Sequence, residues 1–202
     1  MHLFVDHLTV IDSAYLCPTN GLVGESWICD IALEGALDAN SMVMDFGRVK
    51  KSIKAAIDQW VDHTLIVPEQ SPNLTLTPPS LGGRLGGGRQ QAPSSPLSHP
   101  ITLSFTFGAG DTLTHTSPAE ALCLLPVAAI TPEAIATYLE TRLREVVPAS
   151  VERIHVSLRT EPDTGPYYHY VHGLKKHDGN CQRIAHGHRS RLHITNARSE
   201  EH

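Results

Sequence analysis

A segment rich in proline, serine and glycine divides this chain and limits where a folded core can form. From Ser71 to Pro100 the chain has few large apolar side chains, so burial offers little to offset the entropy cost of ordering it. We interpret residues 69–100 as a flexible insertion. The folded parts are then expected within residues 1–68 and from residue 101 onward.

Before the insertion, the spacing of apolar residues predicts two strands and one helix. Residues Gly24 to Glu34 alternate between apolar and polar side chains, which is the period of a half-buried strand. The run from Leu3 to Ile11 is its expected hairpin partner. From Val43 to Val61 the large apolar residues recur every three or four positions, which is the spacing of one helical face.

After the insertion, the pattern predicts one more helix among several strands. The helix begins with Thr131 as N-cap and Pro132 at the first helical position, and Pro148 ends it. The strands are predicted at residues 101–107, 154–158, 167–174 and 185–194. This order predicts an α+β fold with an antiparallel sheet, and it lacks the strand–helix alternation of Rossmann-like folds.

The composition excludes several classes of protein. The 202 residues include 16 basic and 21 acidic side chains, so the chain lacks the positive charge of a non-specific nucleic-acid binder. No apolar run reaches the roughly 18 residues of a membrane span, and the N-terminus lacks the pattern of a secretory signal. We therefore expect a cytoplasmic protein that binds neither membranes nor nucleic acids, with its four cysteines reduced.

Histidines cluster near the C-terminal end, where the spacing favours a metal site. His186 and His188 leave the same face of a predicted strand, with the small Gly187 between them. His172, in the preceding strand, can supply a third nitrogen. Three imidazoles on zinc leave a fourth position open, as in catalytic sites. Surface or core histidines would also explain an isolated His-x-His.

Cys181 lies five residues before His186 and has two interpretations. Beside a metal or a histidine, its pKa would fall toward the thiolate form. Alternatively, Cys181 itself ligates zinc in a closed structural site. Arg183, Arg189 and Arg191 are candidate anion ligands, but the favoured interpretation is that they are solvated arginines on an outer strand face.

These motifs resemble the family of 6-pyruvoyl-tetrahydropterin and 6-carboxytetrahydropterin synthases. The run from Tyr168 to Leu174, followed by Cys181 and His186-Gly187-His188, is similar to that family's zinc motif. Residues 41–46 resemble the entry to its first helix, and Val61-Asp62-His63 resembles the Leu-Asp-His that ends that helix. Thr160-Glu161 resembles the region whose glutamate anchors the pterin, with the two residues in reversed order.

The resemblance implies the tunnelling fold, in which two helices pack on one face of an antiparallel sheet and subunits assemble into a homo-oligomeric barrel. Val23-Gly24-Glu25 stands where a first copy of the zinc motif would be, but Val23 cannot bind zinc and Cys17 is a doubtful catalyst. We therefore expect a first unit with a degenerate metal motif in residues 1–68, continued in residues 101–165. An incomplete second unit then carries the zinc-motif strands in residues 166–195, and residues 196–202 form a polar tail.

The resemblance also implies a zinc-dependent lyase acting on 7,8-dihydroneopterin triphosphate. We favour the 6-carboxy-5,6,7,8-tetrahydropterin product used in queuosine biosynthesis. The alternatives are a 6-pyruvoyl product or a non-catalytic member that keeps zinc for stability. A generic zinc hydrolase is disfavoured because no HExxH motif is present. The implied roles are Zn²⁺ ligation by His172, His186 and His188, proton abstraction by Cys181, acid–base catalysis by Asp62 and His63, and pterin binding by Glu161.

Overall fold

The computed structural model describes residues 2–35, 46–77, 100–162, 165–171 and 187–192. These ranges contain ten strands and two α-helices, with a short 3₁₀ turn before β7. In chain order the elements are β1 (His2–Cys17), β2 (Gly21–Gly35), α1 (Phe46–Trp60), β3 (Leu65–Pro68), β4 (Leu74–Thr77), β5 (Ile101–Phe107), β6 (Asp111–Ser117), β7 (Leu122–Leu125), α2 (Pro132–Leu143), β8 (Val151–Arg159), β9 (Tyr167–Val171) and β10 (Gly187–Arg191).

A long hairpin of β1 and β2 forms the centre of the main sheet. The predicted pairing of the first two apolar runs is confirmed, with Ile11 opposite Trp27 and Asp12 opposite Ser26. β1 continues beyond its predicted end at Ile11 and reaches Cys17. The sheet has five strands in the order β7-β3-β1-β2-β8. Strand β2 is antiparallel to β1 and β8, whereas β3 runs parallel to β1 and β7.

Both helices pack on one face of this sheet, which confirms the predicted α+β class. Ile53 and Ile57 of α1 and Leu139 of α2 are fully buried in one cluster with the sheet residue Trp27. Helix α2 begins as predicted, because the Ala134 N–H donates to Thr131 Oγ1 at 3.1 Å. Within the described ranges, neither helix has the length and apolar character needed to cross a bilayer.

A second, smaller sheet covers part of the opposite face. It is antiparallel in the order β4-β5-β6, and Leu103 and Phe105 of β5 are buried against Leu16 of β1. Strand β4 lies inside the segment that we interpreted as a flexible insertion, so four residues of that segment are ordered as a strand. Residues 78–99 lie outside the described ranges.

The predicted strands near the C-terminus are confirmed for Tyr167–Val171 and Gly187–Arg191, which pair as β9 and β10, whereas residues 172–174, 185–186 and 193–194 lie outside the described ranges. Val171 is opposite Gly187 and Tyr170 is opposite His188. The hairpin lies against β2 at Gly24, where a Cβ atom would overlap the carbonyl oxygen of Tyr170. Glycine at this position therefore allows two backbones to approach closely, and the contact brings β10 beside the centre of the main sheet.

Candidate active site

The turn after α1 places Asp62 and His63 beside β1. The N–H groups of Val61 and Asp62 both donate to the Ile57 carbonyl, at 3.0 and 3.2 Å, and close the last turn of the helix. His63 has φ of 57°, a left-handed conformation that is unfavourable for a residue with a side chain. Its N–H donates to the Asp12 carbonyl at 3.0 Å, so β1 holds this residue in place.

The Asp62 carboxylate joins the strand to the imidazole of His63. Its Oδ1 accepts a hydrogen bond from the Asp12 N–H at 2.8 Å, and its Oδ2 lies 2.6 Å from His63 Nδ1. The Asp62 side chain is only 12 % exposed, whereas the His63 side chain is 32 % exposed. A carboxylate at Nδ1 favours the tautomer that carries the proton there and leaves the lone pair on Nε2. The two residues thus form the polarised pair that an acid–base role requires.

On the hairpin, His188 contacts a second carboxylate, that of Asp12. His188 Nδ1 lies 3.1 Å from Asp12 Oδ1, and the Ser26 hydroxyl donates to the same oxygen at 2.5 Å. The Arg189 N–H donates to Ser26 Oγ at 3.3 Å, which ties β10 to β2. In the neutral imidazole, a proton on Nδ1 facing Asp12 leaves the lone pair on Nε2.

A cavity of about 560 Å³ lies where β10 meets β1 and β2. Glu161 lines it, and its Oε2 lies 3.2 Å from Nη2 of Arg191. Arg189 donates to the Glu161 carbonyl at 3.1 Å, and its guanidinium lies 4.0 Å from the centre of the Tyr167 ring. Two carboxylates and two guanidinium groups therefore share one cavity. The lining residues described are Val10, Asp12, Ser26, Ile28, Glu161, Tyr167, His188, Arg189, Ser190 and Arg191.

Glu25 of β2 contacts the hairpin through His169. Burial raises the pKa of the Glu25 carboxyl, although the nearby His169 and Arg189 oppose that shift. His169 Nδ1 donates to the Gly24 carbonyl at 2.7 Å and lies 3.7 Å from Glu25 Oε2. These contacts fix β9 on β2, which is a structural role for His169.

The predicted site residues are thus brought together in part. Asp12 links His188 to the Asp62–His63 pair, and Glu161 lies in the same cavity as His188. Asp62 and His63 are not among the described residues that line this cavity. The predicted residues His172, Cys181 and His186 lie outside the described ranges.

The chemistry of the described residues fits a zinc ligand at His188. Metal-binding histidines commonly donate their second ring N–H to a carboxylate, which fixes the tautomer and makes the ligating nitrogen more basic. Asp12 stands in that position relative to His188. Within the ranges that the structure describes, no group of three or more His, Cys, Asp or Glu side chains is placed to hold a metal ion.

Sequence reasoning missed the part played by Asp12 and Ser26. Asp12 shares a strand face with Val10, Ala14 and Leu16, so an acidic residue in an otherwise apolar stripe was the available signal. Ser26, opposite Asp12 in the hairpin, carried no signal of its own, because serine is common on half-exposed strands.

The comparisons with known proteins agree on one family. The family model described as 6-pyruvoyl tetrahydropterin synthase matches residues 17–169, more than half of the chain. That match ends before the three histidines that we predict to bind zinc. No curated protein matches the chain at a significant level.

Solved structures of the same description share the fold. The 6-pyruvoyltetrahydropterin synthase of Plasmodium vivax is 19 % identical, with a TM-score of 0.56 over 81 % of this chain and 93 % of that one. A catalytic-residue mutant of that protein matches equally well. The Plasmodium falciparum protein is 17 % identical, with a TM-score of 0.55 over 80 % and 92 % of the two chains. Because the family model matches residues 17–169, this chain belongs to the 6-pyruvoyl tetrahydropterin synthase family.

Proposed function

We propose that the chain is a zinc-dependent lyase that converts 7,8-dihydroneopterin triphosphate to 6-carboxy-5,6,7,8-tetrahydropterin. In this reaction one water is consumed and triphosphate leaves. The outer two carbons of the side chain leave as acetaldehyde, and the carbon attached to the ring becomes the carboxyl group. The 6-pyruvoyl product, formed by loss of triphosphate without water, is equally consistent with the fold and the family. Members of this family are lyases, and we propose that both outcomes begin with removal of a proton from the substrate side chain.

One observation carries the proposal: His188, whose imidazole contacts the Asp12 carboxylate, lines the same cavity as Glu161. His188, with Asp12 at its Nδ1, supplies a metal-binding nitrogen. Glu161 supplies a carboxylate that can accept two hydrogen bonds from the amino and ring N–H groups of a pterin. The volume of about 560 Å³ lies within the range of small-molecule sites.

We propose that zinc is held by His172, His186 and His188. Of these three, His188 lies in the described part of the hairpin, where its Nδ1 is 3.1 Å from Asp12 Oδ1. Side chains two residues apart on a strand share a face, so His186 would lie on the same face as His188. When bound, zinc would act as a Lewis acid toward oxygen atoms of the substrate side chain.

Side chains of the protein would carry out the proton transfers. We propose that Cys181, as thiolate, removes the carbon-bound proton. His63, with its Nδ1 proton fixed by Asp62, would exchange a proton at Nε2 with a substrate hydroxyl group. Glu161 would orient the pterin ring. Its ion pair with Arg191 must then open or be shared when substrate binds.

Arg189 and Arg191 are candidates for the triphosphate. Both line the cavity, and one guanidinium group can donate two parallel hydrogen bonds to a phosphate. The competing interpretation is that both arginines stabilise the fold, since each also donates a hydrogen bond to a backbone carbonyl of residues 161–162. The homo-oligomeric barrel and the division into one and a half units stay predictions.

The test is a turnover assay on the purified chain with 7,8-dihydroneopterin triphosphate, with products identified by mass. We expect the 6-carboxy product together with acetaldehyde, whereas a 6-pyruvoyl product without acetaldehyde would favour the alternative. Cys181→Ala should abolish turnover while zinc stays bound, and Cys17→Ala is the matched control because it lies in the degenerate motif. Loss of zinc in Cys181→Ala would instead indicate a closed structural site. Bound zinc without turnover in the wild type would favour the non-catalytic alternative.

A further inference from the structure

We infer that Asp12 is a positioning residue that joins the two halves of the site, fixing His188 through its side chain and the Asp62–His63 pair through its backbone. The role toward a metal rests on the proposed function. The geometry itself rests on described contacts alone.

The side-chain half of this arrangement is built around one oxygen atom. Asp12 Oδ1 lies 3.1 Å from His188 Nδ1 and accepts the Ser26 hydroxyl at 2.5 Å. The Asp12 and His188 side chains are only 25 % and 20 % exposed, so water screens this contact less than it would a surface pair. The carboxylate therefore holds the imidazole in one tautomer and one orientation.

The backbone half is independent of the side chain. The Asp12 N–H donates to Asp62 Oδ1 at 2.8 Å, and the Asp12 carbonyl accepts the His63 N–H at 3.0 Å. Any residue except proline can make these two bonds at position 12. Replacing the Asp12 side chain should thus alter His188 and leave the Asp62–His63 pair in place.

Because the two halves are separate, we can predict the size of the effect of an Asp12 substitution on zinc affinity and its restriction to His188. Loss of an outer carboxylate from a metal-binding histidine typically weakens metal affinity by about 10- to 100-fold. We expect Asp12→Ala to raise the zinc Kd by that factor. Asp12→Asn keeps an acceptor oxygen but loses the charge, so its effect should be smaller.

The experiment combines imidazole ¹⁵N NMR on the metal-free chain with zinc titration against a competing chelator. In the wild type, we expect His188 to be protonated at Nδ1. In Asp12→Ala that preference should be lost, while the His63 signals stay unchanged. Ser26→Ala is a second variant, which removes the other donor to Asp12 and should shift the His188 signals by less.

Asp30→Asn is the matched control. Asp30 lies on β2, its side chain is 20 % exposed, and it pairs with Arg159 outside the cavity. This control should leave both the His188 signals and the zinc Kd unchanged. Thermal unfolding of each variant shows whether any effect is merely a loss of stability.

The outcomes distinguish this inference from the proposed function. Unchanged His188 signals in Asp12→Ala, or a zinc Kd equal to that of the wild type, would overturn the role of Asp12 and leave the lyase proposal standing. A wild-type chain that binds no zinc would overturn the lyase proposal. In that case the NMR signals alone decide whether Asp12 positions His188.

Discussion

Replacing Asp62 tests whether this carboxylate supports the fold as well as the proposed chemistry. In Asp62→Ala the Asp12 N–H loses its acceptor, and an unsatisfied, partly buried donor costs about 1–2 kcal/mol. The contact with the partly exposed His63 is also lost and adds about 0.5–1 kcal/mol. The free energy of unfolding should therefore fall by about 1.5–3 kcal/mol.

Asp62→Asn is the matched control, because its amide oxygen can still accept the Asp12 N–H. We expect that variant to lose about 1 kcal/mol or less. Both values come from urea denaturation followed by circular dichroism, with the slope against denaturant checked for constancy. Equal losses for alanine and asparagine, or a loss below about 0.5 kcal/mol for alanine, would refute the reasoning, since the backbone bond would then carry no stability.

Three further predictions concern other parts of the fold. Gly24→Ala should detach the C-terminal hairpin and weaken zinc binding, whereas Gly165→Ala, with open space around it, should do neither; equal zinc affinity in both variants would contradict the close contact. Burial lowers the pKa of His115 below 6.5, so the unfolded chain takes up the proton first and stability should fall as the pH drops below about 6.5. His115→Leu should flatten that dependence in urea titrations, and an unchanged slope would contradict it. Thr131→Ala should cost about 1 kcal/mol through loss of the N-cap, while Thr137→Ala, inside the same helix, should be neutral or stabilising in thermal unfolding.

The sequence predicted those elements whose pattern is periodic. The alternation in β2 and the N-cap of α2 each have a local physical cause, and both appear where they were expected. Strands β3 and β7 were missed because every residue of Leu65–Pro68, and nearly every one of Leu122–Leu125, is buried. A short apolar strand that is buried on both faces does not alternate between apolar and polar residues, so periodicity cannot identify it.

The candidate site was predicted only where neighbours in sequence are also neighbours in space. Asp62 and His63 are adjacent, and their contact follows from the turn that ends α1. The contact between Asp12 and His188 joins residues from opposite ends of the chain. It depends on how the hairpin packs against Gly24, which periodicity does not encode.

X-ray absorption at the zinc edge tests most directly whether this protein holds an open, catalytic metal site. We expect one zinc per chain, with three imidazole nitrogens at about 2.0–2.1 Å, an oxygen as fourth ligand, and no sulfur. His188→Ala should lose the metal. A sulfur ligand at about 2.3 Å would place Cys181 in the coordination shell and make the site structural, and a chain without zinc would contradict the proposed chemistry altogether.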